Sequence, residues 1–320
     1  MRRLNVILLA VAVLLLAAML RGIDWPLLGR HLVRGGRYWP LLLIPYGGTC
    51  LLWALSWRLL LPPDGERPPL GRLFLIRLAG DSLNQLTPTA SLGGEPFKAQ
   101  RLTSFGIPWQ EATASLMVQK LLMVLSLVSY LFLSLALIPL ALPGLPPNIA
   151  WFAFLGALVL LAGGAAFAFV QRKSPCALLV RLLKRVGWCP AFLAEKEEDL
   201  ARLDALLAAF FRDHPGRGAL SYCLFLAGWM LHALEVYLIF WLLGHALTPG
   251  QAFCLDALSQ LVAGLGFMVP AALGVQDGGN ILLTLGFNLG ATLGAGFSIM
   301  RRFREAFWLL VGLLVVARER

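Results

Sequence analysis

A small set of charged residues lies within apolar stretches of the chain, and these side chains are the first candidates for chemistry. In chain order they are Asp81, Glu95, Lys98, Lys120, Glu235, Asp256, Asp277, Arg301, Arg302, Arg304 and Glu305. A charge at the centre of a membrane helix costs roughly 2.5 to 3.5 kcal/mol on insertion scales, so such residues usually face the interior of a helix bundle. There they can bind polar groups of a ligand, pair with one another or carry a coupling proton.

The surroundings of these residues lead to two different expectations. Lys120 and Glu235 stand inside long apolar runs, so we expect both to pair in the interior of the bundle. Asp81, Lys98 and Asp256 are expected instead to extend towards the membrane interface, where the charged end of the side chain stays hydrated.

Glu95 is singled out because it follows Gly93 and Gly94, which leave the backbone open around its carboxylate. A buried carboxylate stays ionised only beside a cation, and Lys98, one helical turn further on, is the nearest candidate in sequence. We therefore predict a functional role for Glu95. The alternative is that Glu95 caps the helix that begins near Pro96, because an acid in the first turn interacts favourably with the helix dipole.

Motifs of soluble catalysis are missing from the sequence. It contains no G-x-S-x-G, H-E-x-x-H or P-loop pattern. The five cysteines form no C-x-x-C pair, and the histidines lack the spacing of metal ligands. The sequence therefore predicts no catalytic residues, no metal site, no disulfide framework and no cofactor, and we expect that the protein is not an enzyme.

The composition is that of a membrane protein. Hydrophobic residues make up 59% of the 320 residues, charged residues only 14%, and the mean hydropathy is +0.76. A soluble domain usually carries about a quarter charged residues, so this chain cannot cover a water-facing surface of its size. The net charge of +10 lies mainly beside apolar runs, which indicates contact with lipid headgroups rather than with nucleic acid.

Apolar runs long enough for membrane helices divide the chain. They cover residues 4–20, 39–61, 112–142, 149–170, 220–243 and 306–317, and two less regular regions, 73–101 and 251–299, also have the composition of embedded segments. The prediction is an all-α, polytopic membrane protein with about six to eight transmembrane helices. We expect residues 1–320 to form one integral membrane domain.

The distribution of Lys and Arg predicts the orientation. Residues 172–217 carry nine of them and residues 142–148 carry none, so the first segment is predicted to be cytoplasmic and the second external. Counting back places the N-terminus in the cytoplasm, although the basic 21–38 loop would then lie outside. Within the cytoplasmic loop, Leu193, Leu200, Leu203, Leu207 and Phe210 share one helical face, opposite Glu195, Glu197, Glu198, Asp199 and Asp204. This amphipathic helix is either a packed linker or a docking site for an enzyme that supplies substrate.

The two irregular regions resemble one another. Residues 84–96 read N-Q-L-T-P-T-A-S-L-G-G-E-P, and residues 266–277 read G-F-M-V-P-A-A-L-G-V-Q-D. Proline ends a helix and glycine allows the chain to turn, so each region is predicted to be a broken or re-entrant helix. Paired interruptions of this kind in the two halves of a transporter point to a substrate site between them. We predict that the two regions pack together; the alternative is a pair of kinked helices.

Four stretches of this sequence together resemble one known family. They are the Asn84 to Lys98 segment with its Gly93-Gly94-Glu95 centre, residues 118–122, residues 270–277 and residues 301–305. They are similar to the flippase-like integral membrane family, whose best-known member is the membrane domain of lysylphosphatidylglycerol synthase. The likeness is greatest to the stand-alone, hopanoid-biosynthesis-associated members. Where the family often has Arg-Glu, this chain has Gln276 and Asp277, which removes a cation that could meet a phosphate.

The resemblance implies translocation or handling of an amphipathic lipid in the bacterial inner membrane, without the aminoacyl transfer of the synthase. Its implied lipid-headgroup site consists of Asn84, Pro88, Gly93, Gly94, Glu95, Lys98, Lys120, Pro270, Gly274, Gln276, Asp277, Arg302, Arg304 and Glu305. The acids and backbone amides would bind the headgroup, and the cations would neutralise phosphate or pair with the acids. Partners would be a lipid and lipid-biosynthesis enzymes. The alternatives are a non-transporting scaffold of a lipid-synthesis complex and an intramembrane lipid-modifying enzyme.

Overall fold

A computed structural model describes residues 22–62, 67–87, 93–142, 197–266 and 272–318, with Val269 and a few isolated positions between 151 and 185. Over these residues the protein is all-helical, which confirms the predicted class of a polytopic, all-α membrane protein. In the described part of the chain, three helical segments are long and apolar enough to cross a membrane: Trp25–Leu60, Trp109–Ala141 and Pro215–Leu242. The predicted span 4–20, most of the span 149–170, nearly all of the 142–148 loop, Leu193, Glu195, Pro88 and Pro270 lie outside the described residues.

Ten α-helices are described in this part of the chain. In chain order they are α1 (Trp25–Gly35), α2 (Leu43–Leu60), α3 (Leu70–Leu86), α4 (Glu95–Thr103), α5 (Trp109–Ala141), α6 (Glu197–Asp213), α7 (Pro215–Leu242), α8 (Pro249–Leu265), α9 (Val275–Gly286) and α10 (Ala291–Arg318). Helices α5 and α6 are separated by residues 142–196, most of which lie outside the described part of the chain. A 3-10 helix, Gly36–Leu42, joins α1 to α2. The apolar runs predicted at 39–61, 112–142 and 220–243 correspond to α2, α5 and α7.

The centre of the bundle is the pair formed by α2 and α7. Gly228 leaves room for the Trp53 indole, whose Nε1 donates to the Phe225 carbonyl oxygen at 3.1 Å. The Ser56 and Ser221 hydroxyls are 2.6 Å apart across the same interface. Small and hydroxyl-bearing residues let membrane helices approach closely and hydrogen-bond to each other. The two helices therefore lie close together; α5 packs against both of them and α8 packs against α7.

The region predicted to be broken at 73–101 forms a helical hairpin, here called the first hairpin (α3, α4 and the turn between them). Helix α4 folds back along α3, so that Lys98 lies against Gly80 and Leu102 shares a buried cluster with Leu73. A side chain at Gly94 would collide with the backbone of Gly80. The hairpin can close this tightly only because position 94 has no Cβ.

The second irregular region also turns back on itself and is called the second hairpin (α8, α9 and the turn between them). The Ser259 hydroxyl donates to Asn280 Oδ1 at 2.5 Å across the two helices. Gly274 has a φ of +78°, a backbone conformation that favours glycine, and it stands immediately before α9. The two predicted broken-helix elements are therefore confirmed as a pair of hairpins.

Helix α10 packs against both hairpins. Gly294 lies against Thr284 of α9, and Gly312 lies against Ser82 of α3. The apolar run predicted at 306–317 is only the C-terminal part of this helix, and residues 291–299, assigned to the irregular region, are helical. The helix continues through the charged residues 301–305 because their side chains find partners inside the protein, as shown below.

The predicted amphipathic helix is α6, which packs against α5 and α7. Leu207 is buried, and Phe210 packs on the main apolar cluster, as the pattern indicated. Asp204, which the pattern placed on the exposed acidic face, is instead buried and has an interaction partner. That assignment was wrong because contacts with two neighbouring helices cover more of α6 than a single apolar stripe.

Candidate functional site

Helix α3 presents a row of polar side chains to the inside of the first hairpin. Arg77 and Asp81 are four residues apart on one helical face, and Arg77 Nη2 lies 3.3 Å from Asp81 Oδ2. Lys98, from α4, places Nζ 2.6 Å from the other oxygen of Asp81. Lys98 is almost wholly buried, and only 26% of the Asp81 side chain is exposed. The expected extension of Asp81 and Lys98 towards the interface is therefore wrong, because each has an interior partner.

Asn84 connects the two helices of the first hairpin at the start of α4. Its Oδ1 accepts from the Gly94 backbone N–H at 2.7 Å, and its Nδ2 donates to Glu95 Oε1 at 3.1 Å. One amide side chain thus satisfies an otherwise unpaired donor of the helix start and positions the first carboxylate of α4. Gly93 and Gly94 form the turn itself.

Glu95 is shared between two lysines. Its Oε1 lies 3.1 Å from Lys98 Nζ and 3.2 Å from Lys120 Nζ, the second of these on α5. Its Oε2 is buried and has no hydrogen-bond partner. Lys120 is paired, as predicted, although 31% of its side chain remains exposed. Glu95 is the first residue of α4, so both predicted features, the carboxylate at the helix start and the nearby lysine, are present.

A cavity of about 260 Å³ opens between the two hairpins. From the first hairpin and its neighbours it is lined by Tyr46, Trp53, Arg77, Asp81, Asn84, Gln85, Thr87, Lys98, Gln119, Lys120 and Met123, and from the second hairpin by Ala263, Gly266, Val269 and Ala272. The two predicted regions thus meet across a shared cavity, here called the polar cavity. Three cations and one carboxylate line it, so its walls carry an excess of positive charge.

Two residues in the wall of the polar cavity have unsatisfied polar atoms. Arg77 is 2% exposed, yet its Nε and Nη1 have no hydrogen-bond partner. The Gln119 side-chain oxygen, 42 residues further along the chain, is likewise buried without a partner. Native proteins leave few buried polar atoms unpaired, and each one requires an explanation.

An apolar groove of about 410 Å³ lies next to the polar cavity, between α4 and α5. It is lined by Glu95, Pro96, Ala99, Trp109, Thr113, Leu116, Met117, Lys120, Leu121 and Val124. Lys120 belongs to the linings of both, and Glu95, its partner, faces the groove. The pair therefore stands at the boundary between a polar and an apolar compartment.

The second hairpin holds its carboxylates differently. Asp256 is fully buried and accepts from Arg301 at 2.6 Å, from Tyr130 at 2.9 Å and from Gln260 at 3.3 Å. Arg301 also donates to the Ser259 hydroxyl at 2.7 Å. The prediction that Asp256 extends to the interface is wrong, because this network satisfies its charge in the interior.

Asp277 lies in the first turn of α9 and accepts two hydrogen bonds from the Arg302 guanidinium. Arg302 Nε and Nη2 donate to its two oxygens at 3.0 and 2.9 Å, and Arg302 Nη1 donates to Glu305 at 2.7 Å. Asp277 also accepts from the Gly274 backbone N–H at 2.9 Å. Gln276, where the family often has a cation, is buried. Of the two roles expected for Arg302, pairing with an acid is the one observed.

Arg304 pairs with neither Glu95 nor Asp277, and its Nη2 lies 4.0 Å from Glu305 Oε1. It is buried and its Nε donates to Glu235 at 2.9 Å, while its guanidinium lies 4.2 Å from the centre of the Tyr46 ring. Interior pairing is therefore confirmed for Glu235. Three arginines of α10 thus pair with three different acids, on α8, α9 and α7. The predicted site residues are therefore divided between the two hairpins and the contact of α10 with α7.

The prediction from sequence missed Arg77, Gln119 and Tyr130. Arg77 carries one usable signal, since it is an arginine four residues before Asp81 in an otherwise apolar helix. Gln119 lies within the 118–122 stretch that carries the family resemblance, whereas Tyr130 gives no signal, because its role depends on a contact with a distant part of the chain. Among the residues that the structure describes, no group of three or more His, Cys, Asp and Glu side chains is placed to hold a metal ion.

A match to one known protein family agrees with this architecture. No curated protein matches the chain. The family described as the lysylphosphatidylglycerol synthase TM region matches residues 5–312, which include both hairpins, the polar cavity and most of α10. The family match, together with the apolar helices, indicates a multi-pass membrane protein that is lipid-related. By this match, the chain belongs to the family of the lysylphosphatidylglycerol synthase TM region.

Proposed function

We propose that the protein translocates an amphipathic lipid across the bacterial inner membrane and performs no chemistry on it. The observation that carries this proposal is the adjacency of the polar cavity and the apolar groove, which share Lys120. A lipid has the same division into a polar and an apolar part. Family membership agrees with a lipid-related role but does not by itself define the activity.

In the proposed mechanism, the headgroup enters the polar cavity while an acyl chain lies along the groove between α4 and α5. Moving a polar headgroup through hydrocarbon is costly unless other groups replace its hydrogen bonds to water. Asn84, Lys98 and Lys120, which line the cavity, supply such groups on one side, and Glu95 pairs with both lysines. The turn of the second hairpin, at Gly266 and Ala272, provides the opposite lining.

Reconstitution tests the proposal directly. The purified protein would be placed in vesicles that contain a phospholipid with a fluorescent headgroup, and a membrane-impermeant reductant would then be added. If the protein moves lipid, the reductant bleaches lipid from both leaflets, whereas protein-free vesicles lose only the outer-leaflet signal. Bleaching that stays confined to the outer leaflet would contradict translocation and leave a scaffold role. Mass spectrometry of the lipids would reveal an intramembrane enzyme.

A groove-filling variant separates transport from a non-specific leak. Met117 lines the apolar groove, whereas Leu137 lies more than five turns further along the same helix and is 39% exposed. Met117→Trp is expected to slow lipid movement, while Leu137→Trp, an exposed substitution of similar size, is expected to leave it unchanged. Equal rates for the two variants would argue against passage of lipid along the groove.

We further propose that the N-terminus and residues 172–217 are cytoplasmic and that residues 142–148 are external. The support is the distribution of Lys and Arg in the connecting segments. A cysteine introduced into 142–148 should react with an impermeant maleimide in intact cells. Reaction only after permeabilisation of the membrane would reverse the orientation.

A further inference from the structure

Arg77 is a buried cation whose N–H groups are only partly accounted for by the contacts described so far. Its side chain is 3% exposed, and only Nη2 has a partner, the Asp81 carboxylate at 3.3 Å. The guanidinium lies 5.0 Å from the centre of the Trp53 ring, which holds it in place without accepting its remaining N–H groups as a carbonyl would. Nε and Nη1 therefore remain as donors for another molecule.

The charge around Arg77 favours an anion. Arg77, Lys98 and Lys120 line the polar cavity together, and Asp81 is the only carboxylate among the lining residues that the structure describes. Asp81 is already shared between Arg77 and Lys98. Glu95 offsets part of the lysine charge, but it faces the neighbouring groove. With Glu95 counted, the three cations are set against two carboxylates, so these five side chains together carry a net positive charge.

We propose that Arg77, with Lys98 and Lys120, forms a binding subsite for an oxyanion, either a phosphate or a carboxylate group. Arginine suits such a ligand because its planar guanidinium stays charged and presents several N–H donors in a fixed array. Bonds between these donors and an ionised oxygen are shorter and stronger than bonds between neutral groups. The inference rests on the proposed function only in taking the anion to be part of a lipid headgroup.

Equilibrium binding to the purified, detergent-solubilised full chain tests the subsite. The probes are inorganic phosphate, dioctanoyl phosphatidylglycerol and uncharged dioctanoylglycerol, with affinity measured by titration calorimetry. The variants are Arg77→Gln and, as a matched control, Arg72→Gln, which removes the same charge from the exposed face of the same helix. Arg77→Gln should weaken binding of the phosphate-bearing probes by roughly tenfold or more, about 1.4 kcal/mol, and Arg72→Gln should not.

A second variant covers the case in which Arg77→Gln does not fold. Arg77→Lys keeps the charge beside Asp81 but loses the planar donor array, so it should fold and still bind the phosphate-bearing probes more weakly than the native chain. Thermal unfolding without ligand establishes that each variant is intact. Native affinity in Arg77→Lys together with native affinity in Arg77→Gln, or equal binding of dioctanoylglycerol and its phosphate-bearing counterpart, would overturn the subsite.

The probes also identify the source of the anion. Binding of the phospholipid but not of inorganic phosphate assigns the subsite to a lipid headgroup, and binding of both assigns it to free anions as well. Arg77-dependent binding without any lipid movement in vesicles would support the subsite and contradict the proposed function. Lipid movement with binding that ignores Arg77 would contradict the subsite and leave the proposed function standing.

Discussion

The two hairpins have the same outline but treat their charges differently. In the first hairpin, Arg77 and Glu95 each keep polar atoms without partners beside a cavity or groove. In the second, Asp256 receives three donors in the packed interior. A closed network fixes helices in place, whereas an incompletely satisfied one leaves capacity for a ligand. Repeated elements of one fold can therefore divide the tasks of support and binding between them.

The largest effect is expected when the closed network of the second hairpin is broken. Asp256→Ala leaves Arg301 as a buried cation without its carboxylate, and removing one partner of a buried pair costs about 3 to 5 kcal/mol. Thermal or denaturant unfolding in detergent should show this loss. Asp213→Ala, which breaks an exposed pair with Arg212, should unfold like the native chain. Equal stability of all three proteins would mean that the network gives no support.

Replacement of a turn glycine by alanine should destabilise the protein by different amounts in the two hairpins. Ala at position 94 would meet the backbone of Gly80, which cannot rotate away, so we expect a loss near the upper end of about 1 to 3 kcal/mol. Ala at position 274 has open space but must adopt a φ of +78°, which costs about 1 to 2 kcal/mol. Unfolding midpoints would rank the variants, and a larger loss for Gly274→Ala would contradict the close contact in the first hairpin.

A substitution in the incompletely satisfied network of the first hairpin should reduce lipid movement more than it reduces stability. Glu95→Gln keeps the size of the side chain but removes the charge that holds Lys98 and Lys120, so lipid movement should fall about tenfold, close to 1.4 kcal/mol in barrier height. Glu111→Gln removes an acid from the first turn of α5 and serves as the control for the helix dipole. Native lipid movement in a normally expressed Glu95→Gln protein would leave Glu95 with a capping role alone.

The smallest effect is expected at the edge of the second hairpin. Asp277 and Arg302 are each about a quarter exposed, and Arg302 keeps Glu305 when Asp277 is changed. Asp277→Asn also keeps an oxygen for the Gly274 N–H, so the loss of stability should stay below about 1 kcal/mol. Unfolding curves would detect a larger change. A loss comparable with that of Asp256→Ala would mean that Asp277 belongs to the supporting network.

Sequence patterns were sufficient for the helices and for the existence of the hairpins. The apolar runs at 112–142 and 220–243 differ from α5 and α7 by no more than a few residues, because length and hydropathy define a membrane helix. The Gly93-Gly94 pair and Gly274 stand at the turns themselves, since glycine permits close approach and positive φ. Both signals are local, because each depends only on the residues of the element itself.

The partners of the charges were not predictable in the same way. Lys98 and Asp256 were expected at the interface, yet each is paired with a residue brought to it by folding: Asp81 across the hairpin and Arg301 from α10. Arg304 was expected near Glu95 or Asp277 and reaches Glu235 instead. A single sequence gives the cost of an embedded charge but not the rotation of the helix that carries its partner.

Helix α10 touches both hairpins through small residues, Gly294 against Thr284 and Gly312 against Ser82. A larger residue on either side of these contacts fits only if the opposite residue becomes smaller. Positions 294 and 284, and likewise 312 and 82, are therefore expected to covary among relatives, each pair independently of the other. Such paired substitutions in an alignment of relatives would show that the close contacts of α10 with the first and the second hairpin are maintained across the family.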